Sequence, residues 1–277
     1  MQLTAFTTFL AIAEYGQLNR AAEHLHVTQS TVTARLNSLE GELGQKLFHR
    51  RKSGAELTSA GFRFQRYAQL MTDTWRQARQ ETALPAGIES TFNLGCHGDL
   101  WPGLGEALFE NLHEQHPQVA LSSWAGEQTD LERWLGSGLI DAALGYTPSL
   151  QDNRSEYPLR ADRLLLVSTE ARELMRWDPG YVYVDSGEAF RKNHAASYAD
   201  GDTPTVTLGS AVWARDYLLR KGGSGYLPAR LVDADIAANS FFAVQGAPEF
   251  SRNIYLVVNN DAAKNWPWLE RLVARYQ

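Results

Sequence analysis

Several features that would place a protein in a special class are scarce or missing in this sequence. Cys96 is the only cysteine among 277 residues, so the chain cannot form an internal disulfide. No apolar run approaches the ~20 residues that a membrane-spanning helix requires, and the N-terminus lacks a basic leader with a small-residue cleavage site. These absences predict a protein of the reducing cytoplasm that has no membrane partner.

An excess of positive charge is also missing, which alone argues against nucleic-acid binding, since the net charge is −6. The distribution along the chain changes this conclusion. Residues 1–66 carry eight Lys or Arg and five Glu, a balance of +3, and the remainder carries −9. A mildly basic N-terminal region followed by an acidic remainder predicts a small N-terminal domain that binds an anion.

The densest helical pattern in the sequence lies between Arg20 and Leu39. Ala21 and Ala22 allow two helices to cross closely, and Thr28 is a suitable N-cap for a new helix after a short break. That helix has a stripe of apolar residues at helical spacing, formed by Val32, Leu36 and Leu39. The pattern predicts a helix-turn-helix.

The opposite face of the same helix carries short hydrogen-bonding side chains and one arginine, namely Gln29, Ser30, Thr31, Thr33, Arg35 and Asn37. Such side chains suit base edges and phosphates in a major groove. A hairpin follows, whose basic residues Arg50, Arg51 and Lys52 would contact the DNA backbone as a wing. From the pattern alone, a helical corner with a solvated polar face remains an alternative.

A long helix is predicted from Thr58 to about Thr82. Its apolar residues are spaced 4, 3, 4 and 3 along the chain: Phe64, Ala68, Met71, Trp75 and Ala78. This heptad seam favours pairing with a second copy of the helix, and the alternative is a helix that lies on its own domain. From Phe92 onward, strands alternate with helices, which predicts parallel sheets with βαβ crossovers.

The first 65 residues resemble the N-terminal domain of LysR-type transcriptional regulators. The matching segments are FLAIAEYGQLNRAAEHLHVTQSTVTARLNSLEGELGQKLF, then HR at residues 49–50 and LTSAG at residues 57–61. Ser30, Ala34 and the tripeptide at 17–19 depart from the usual pattern, which affects the operator sequence and not the buried stripe. The resemblance implies an α+β N-terminal winged helix-turn-helix with a linker helix, followed by an α/β two-lobed periplasmic-binding-protein-like effector domain.

The resemblance also divides the chain. It implies a DNA-binding domain over 1–58, a dimerisation helix and hinge over 59–87, and an effector-binding domain over 88–277. In that domain, lobe I would comprise about 90–160 and 257–277, and lobe II about 161–256. The expected partners are double-stranded promoter DNA, a small-molecule effector and further copies of the chain in a homodimer or homotetramer.

The effector is expected in a cleft between the two lobes, where helix N-termini favour anions. In lobe I the lining would come from the loop after the first strand and from two strand ends: Cys96, His97, Gly98, Asp99, Trp101, Trp124 and Tyr146. In lobe II it would come from a helix start at Ser210, Ala211 and Val212. We expect a helix to begin near residues 100–103, and the free N–H groups at its start make an organic anion a candidate ligand. Asp99 would oppose such an anion or cap that helix.

Other chemistry is weakly supported by the sequence. Cys96 has no second thiol, which favours a packing role over a redox role, and adjacent Cys96 and His97 point to opposite sides of an extended segment. His113 and His116 have no third metal ligand at suitable spacing. The glycine-rich segment at 222–228 lacks the lysine of a P-loop. We therefore expect no cofactor, no metal and no catalysis; the rival hypothesis is a two-lobed binding protein or enzyme with a helical interaction module.

Overall fold

A computed structural model describes residues 3–51, 54–82, 84–149, 151–173, 178–198 and 203–277 of the chain. It divides into two compact units, Met1–Ala86 and Gly87–Gln277. Among the described residues, no helix is both long enough and apolar enough to cross a lipid bilayer.

The first unit is a three-helix core followed by a hairpin and one long helix. Its elements are α1 (Leu3–Tyr15), α2 (Leu18–His24), α3 (Gln29–Leu43), β1 (Phe48–Arg51), β2 (Gly54–Leu57) and α4 (Ser59–Thr82). Strands β1 and β2 pair antiparallel, which makes the hairpin a wing. The helix-turn-helix and wing that the sequence predicts are therefore present.

Apolar side chains from α1, α2 and α3 form the centre of this unit. Phe9 and Ile12 of α1 are fully buried, and so is the predicted stripe on α3, formed by Val32, Leu36 and Leu39. Residue Gly54 allows the wing to approach this core, because a Cβ atom there would lie 2.4 Å from the carbonyl oxygen of Gly16. Close packing at this point therefore requires a glycine.

The heptad seam of α4 divides into two parts, which corrects the prediction that all of it faces a second copy. Phe64, Ala68 and Met71 pack against the core of their own unit, where the Phe64 ring lies 5.2 Å from that of Phe9. The next seam residue, Trp75, is 53% exposed. A 4-3 spacing also suits a helix lying on its own domain, so spacing could not separate the two cases.

The second unit is built on one continuous sheet that serves two lobes. Its strands are β3 (Ser90–Cys96), β4 (Val119–Ala125), β5 (Ala142–Gly145), β6 (Arg154–Ser168), β7 (Tyr181–Val184), β8 (Val206–Leu208), β9 (Ser224–Pro228), β10 (Phe242–Ala243) and β11 (Phe250–Asn259). The strand order is β4-β3-β5-β11-β6-β9-β7-β8, with β10 beside β6. Strands β3, β4 and β5 are parallel in lobe I, and β7, β8 and β9 are parallel in lobe II.

Helices cover these strands in both lobes. Lobe I carries α5 (Glu106–Gln115), α6 (Gln128–Ser137), α10 (Asn260–Ala263) and α11 (Leu269–Val273), and lobe II carries α7 (Glu188–Ser197), α8 (Ala211–Lys221) and α9 (Ala229–Ala237). Each lobe has its own apolar core, which contains Phe92 and Trp266 in lobe I and Val182 and Leu218 in lobe II. Sequence reasoning did not predict α7, α9 or α10.

The long strands β6 and β11 run antiparallel to each other through both lobes. Their pairing is regular at each end but shifts register between Arg252 and Ile254, opposite Asp162 and Leu159. This irregularity lies where the chain passes from one lobe to the other. The parallel strands need long crossovers, and the antiparallel pair between them provides the direct link.

The segment after β3 differs from the prediction of a helix that starts at residues 100–103. It forms a short turn at Gly98–Leu100 and a wide turn at Trp101–Gly105, and α5 begins only at Glu106. Pro102 has an extended ψ of 123° and Gly103 a φ of +81°, values that no α-helix contains. The segment is therefore a loop rather than the start of a helix, and it extends across the cleft.

Candidate DNA-binding face and effector cleft

The N-terminus of α3 is fixed by a hydroxyl network. Thr28 is its N-cap, as predicted, and its Oγ1 accepts a hydrogen bond from the backbone N–H of Thr31 at 3.2 Å. The same oxygen lies 2.8 Å from the hydroxyls of Ser30 and Thr31. The cap holds the first turn of the helix in place, where residues that enter a major groove usually lie.

The predicted DNA-contacting residues of α3 are not equally placed. Gln29, Ser30 and Asn37 are exposed, and Thr33 is half-buried. The Arg35 guanidinium instead turns toward α1, where Nη1 donates to Thr8 Oγ1 at 3.4 Å. Together with Thr31 in the cap, Arg35 therefore contacts its own unit rather than standing on the open face.

The buried Glu40 carboxylate fixes the backbone at the start of the wing. Glu40 Oε1 accepts hydrogen bonds from the backbone N–H groups of Leu47 (2.9 Å) and Phe48 (3.4 Å), and Oε2 accepts one from Lys46 Nζ (2.6 Å). Burial acts to raise the pKa of Glu40, but these hydrogen bonds lower it below its ordinary value.

Two of the predicted wing residues lie at the end of β1. Arg50 and Arg51 pair with Ala55 and Gly54 of β2, which places them next to the turn of the hairpin. Lys52 lies outside the described residues.

Asp99 joins the two lobes of the second unit. Its carboxylate, on the loop after β3, accepts hydrogen bonds from Ser210 Oγ (2.6 Å), Ala211 N (3.0 Å) and Val212 N (3.3 Å) at the start of α8. Sequence reasoning selected all four residues but paired Asp99 with the wrong helix. Because a carboxylate satisfies free N–H groups and the helix dipole, Asp99 fills the N-terminus of α8. The anion was expected instead at a helix starting near residues 100–103, where the structure has a loop.

Arg230, near the start of α9, makes the second connection between the lobes. Its guanidinium donates to both Asp162 carboxylate oxygens (2.7 and 3.0 Å), to the carbonyls of Asp99 (2.7 Å) and Pro102 (2.6 Å), and to Tyr146 Oη (3.3 Å). Burial acts to lower the pKa of Arg230, but the interactions with Asp162 and Tyr146 raise it. We call this set of contacts, with those of Asp99, the interlobe clamp.

A third group of side chains surrounds Tyr146, which follows β5. The Arg252 guanidinium carbon lies 3.3 Å from the centre of the Tyr146 ring, and the His97 ring meets the same ring edge-on at 5.0 Å. Burial raises the pKa of Tyr146 and lowers that of Arg252. Burial also lowers the pKa of His97, against the opposing effects of Asp99 and Glu127.

Three predicted cleft residues lie elsewhere. Cys96 is 1% exposed within the core of lobe I, and burial raises its pKa to about 12, so its thiol is neither in the cleft nor reactive at neutral pH. Trp101 packs on Phe109 at 5.6 Å. Trp124 is 43% exposed on the edge strand β4 and donates its indole N–H to Ser122. Gly98 is exposed in the loop that carries Asp99.

Sequence reasoning missed three charged residues of the cleft, Asp162, Arg230 and Arg252. Asp162 lies between the charged Arg160 and Arg163 in β6, and Arg252 lies between Ser251 and Asn253 in β11, so the local sequence distinguished neither. Arg230 offered no signal either, because it stands in the first turn of a helix that was not predicted. In the part of the chain that the structure describes, no three His, Cys, Asp or Glu residues come together as a metal site would require.

Comparison with known proteins gives the family. The model described as "Bacterial regulatory helix-turn-helix protein, lysR family" matches residues 3–62. The model described as "LysR substrate binding domain" matches residues 85–265, more than half of the chain.

Individual regulators are also similar to this chain over nearly its whole length. The HTH-type transcriptional regulator HdfR of Salmonella schwarzengrund is 28% identical over 93% of this chain and 92% of its own length. In fold, the chain is similar to CbnR, a LysR family transcriptional regulator (TM-score 0.77, 18% identity, 100% and 99% of the two chains). It is also similar to full-length CbnR complexed with its target DNA (TM-score 0.75, 19% identity, 100% and 99% of the two chains). The chain belongs to the LysR family and is a DNA-binding transcriptional regulator with an effector-binding domain.

Proposed function

We propose that this regulator binds promoter DNA as a homo-oligomer and responds to a small-molecule effector held between the two lobes of its second unit. DNA binding is assigned to residues 1–58, dimerisation to 59–87 and effector binding to 88–277. The observation that carries the effector assignment is the interlobe clamp, because its contacts between the lobes, from Ser210 and from Arg230 to Asp99, are made by charged and hydrogen-bonding groups. Such contacts can be exchanged for contacts to a ligand.

The effector acts by differential binding. A ligand shifts the equilibrium between two lobe arrangements only to the extent that it binds one more tightly than the other. The Asp99 carboxylate accepts hydrogen bonds from the start of α8 in the opposite lobe. Arg230 donates both to Asp162 of its own lobe and to the Asp99 carbonyl of the other lobe. A ligand that replaces any of these bonds therefore changes the relative free energies of the arrangements.

The exposed face of α3 is the surface that we propose contacts the base edges. Gln29, Ser30, Thr33 and Asn37 supply its hydrogen-bonding groups, while Thr31 and Arg35 support the helix, and Arg50, Arg51 and Lys52 contact phosphates from the wing. Ser30→Ala should weaken binding to the operator by about 1–3 kcal/mol, since one base contact is lost. Gel shifts with DNA from upstream of the protein's own gene, compared with random DNA, measure this.

Ser38→Ala is the matched control, because Ser38 is an exposed serine on the same helix but outside the proposed face. It should leave the affinity for the operator unchanged. Equal losses on operator and random DNA for Ser30→Ala would mean that Ser30 contacts only the DNA backbone. No loss on either would remove Ser30 from the interface.

The distal half of α4 is the proposed dimer contact. Trp75 continues the buried stripe past Met71 but is half exposed, and Ala78 follows it on the same side of the helix. A helix face that is apolar beyond the end of its own core is typical of pairing with a second helix. Trp75→Glu should weaken dimerisation at least about tenfold, which sedimentation velocity across a concentration series measures.

Phe62→Glu provides the control for Trp75. Phe62 is 73% exposed on a different face of the same helix, so the same change there should leave the oligomer intact. If both variants dissociate equally, or if Trp75→Glu does not dissociate at all, the dimer contact lies on another surface.

A further inference from the structure

Strand β6 carries one more residue than β11 at the point where their register shifts. Between the two regular stretches, β6 has both Arg160 and Ala161, whereas β11 has only Asn253. Such a β-bulge leaves a backbone group of the longer strand without a partner in the ladder. Where this group finds its partner determines how the crossing between the lobes is held.

The last residues of the chain supply that partner. The backbone N–H of Arg160 donates to the carbonyl of Tyr276 at 2.8 Å. Tyr276 is placed by a turn that continues from α11, because its own N–H donates to the carbonyl of Val273 at 2.9 Å. We call residues 269–276, which comprise α11 and this turn, the strap.

The strap is anchored in lobe I. Leu269, Leu272 and Val273 are buried in the apolar core of this lobe, and Tyr276 packs against it. The same core contains Leu159, the residue before the bulge. Because burial of apolar side chains holds a short helix in place more firmly than its own hydrogen bonds do, the strap ties the bulge to lobe I.

The strap also follows β6 ahead of the bulge. Tyr157 of β6 packs against the core that buries α11. Burial and the charge of Glu270 in α11 raise the pKa of Tyr157, so this helix lies beside the strand. The hydrogen bond at Arg160 is therefore the last of several contacts between the strap and β6.

The other side of the bulge is tied to lobe II. Asp162 accepts a hydrogen bond from Arg230 Nε at 2.7 Å, and Arg230 stands on α9 of that lobe. Strand β6 is thus bound to lobe I at Arg160 and to lobe II at Asp162, and only Ala161 lies between them. A rotation of one lobe against the other would have to strain or break one of these two attachments.

From these contacts we infer that the strap is a built-in restraint on rotation of the lobes, which holds the bulge of β6 to lobe I and allows a wider rotation when it is released. A single backbone hydrogen bond suits this role, because it is weak enough to open and strong enough to favour one arrangement. The inference concerns the mechanics of the second unit and goes beyond the proposed function, since it holds whatever is bound between the lobes.

A variant shortened to end at Ala274 lacks the Tyr276 carbonyl and keeps the buried residues of α11. Spin labels are attached through Asp152→Cys in lobe I and Lys192→Cys in lobe II, both exposed, while the buried Cys96 stays unlabelled. The labelled chain is diluted with unlabelled chain, so that double electron–electron resonance measures the distance within one chain. The distance distribution should be broader in the shortened variant, and an unchanged width overturns the inference.

Hydrogen exchange shows whether the effect is local. In the shortened variant, the amide of Arg160 should exchange at least about fivefold faster, since one backbone hydrogen bond is lost. The amides of β3, in the core of lobe I, should keep their rates. If β3 exchanges faster by the same factor, the truncation has loosened the whole lobe, and the strap is not a local restraint.

Two substitutions complete the test. Tyr276→Ala removes the ring but keeps the carbonyl, so it should broaden the distribution less than the truncation does. Arg271→Ala is the matched control, because Arg271 is exposed on α11, and it should change neither the distribution nor the exchange of Arg160. If either substitution has as large an effect as the truncation, the hydrogen bond to the bulge is not what restrains the lobes, and the inference is wrong.

Discussion

The DNA-binding unit and the cleft between the lobes are held together by different interactions. In the first unit, apolar side chains such as Phe9, Ile12 and Leu36 fill a centre that excludes water. In the cleft, the lobes meet through Asp99, Arg230 and other polar groups, which can also bind water and solutes. An apolar core gains free energy by removing apolar surface from water and has no partner to exchange, whereas an ionic contact can be exchanged for an equivalent one. The first unit is therefore suited to rigid recognition and the second to switching.

The largest effect should come from opening the apolar core. Phe9 is fully buried, and its ring lies 5.2 Å from each of the rings of Phe48 and Phe64. Phe9→Ala should lower the free energy of unfolding by about 3–5 kcal/mol, since it removes buried area and leaves a cavity. Urea denaturation followed by circular dichroism measures this.

Leu43→Ala serves as the control, because Leu43 is 42% exposed at the end of α3. Its change should stay within about 0.5 kcal/mol. Similar losses for the two variants would mean that the core of the first unit does not determine its stability.

Breaking the clamp on one side should have the next largest effect. Arg230→Met leaves the buried Asp162 carboxylate without its main partner and should cost about 3 kcal/mol. The double variant Arg230→Met/Asp162→Leu should lose less than the single one, because no unpaired charge remains. A thermodynamic cycle from urea denaturation of the four proteins gives the coupling.

The cycle also tests the contrast between the two regions. If the double variant loses as much as the two single variants added together, the pair does not interact in the way that its geometry indicates. The clamp would then resemble an ordinary set of surface contacts.

A smaller, pH-dependent effect is expected at Glu40. Because the pKa of Glu40 is lowered in the folded state, its contribution is fully present above its unfolded pKa and is lost as pH falls through the folded one. Glu40→Gln should lower stability by about 1–2 kcal/mol at neutral pH. The difference from wild type should shrink as pH falls below about 4.

Glu42→Gln is the matched control, since Glu42 is exposed on the same helix. Its effect should be small across the whole range. A constant difference between Glu40→Gln and wild type from neutral to acidic pH would show that the charge of Glu40 is not what stabilises the wing.

Sequence reasoning succeeded where the determinants of structure are close together in the chain. The start of α3 follows from Thr28, and its buried side follows from a stripe that includes Val32 and Leu36. Most strands of the second unit were likewise evident as short apolar runs, but β10 and the first half of β6 were not. Each of these features is encoded within about a dozen residues, so a local pattern is sufficient.

The cleft was predicted in outline but not in its contacts. Asp99 and Ala211 are 112 positions apart, and Arg230 and Asp162 are 68 apart. No periodicity in the sequence relates such residues, and the turn at Pro102 and Gly103 redirected a loop that was expected to become helix. The side chains that could be named in advance were those at strand ends and helix starts, since topology alone brings these together.

The register shift between β6 and β11 has a mechanical consequence. The two strands pair regularly on either side of the interval between Arg252 and Ile254, so a relative rotation of the lobes would concentrate where the ladder is interrupted. That point would then act as a pivot with a short lever arm. A displacement of a fraction of an ångström at the pivot therefore becomes a much larger one at the far ends of the lobes.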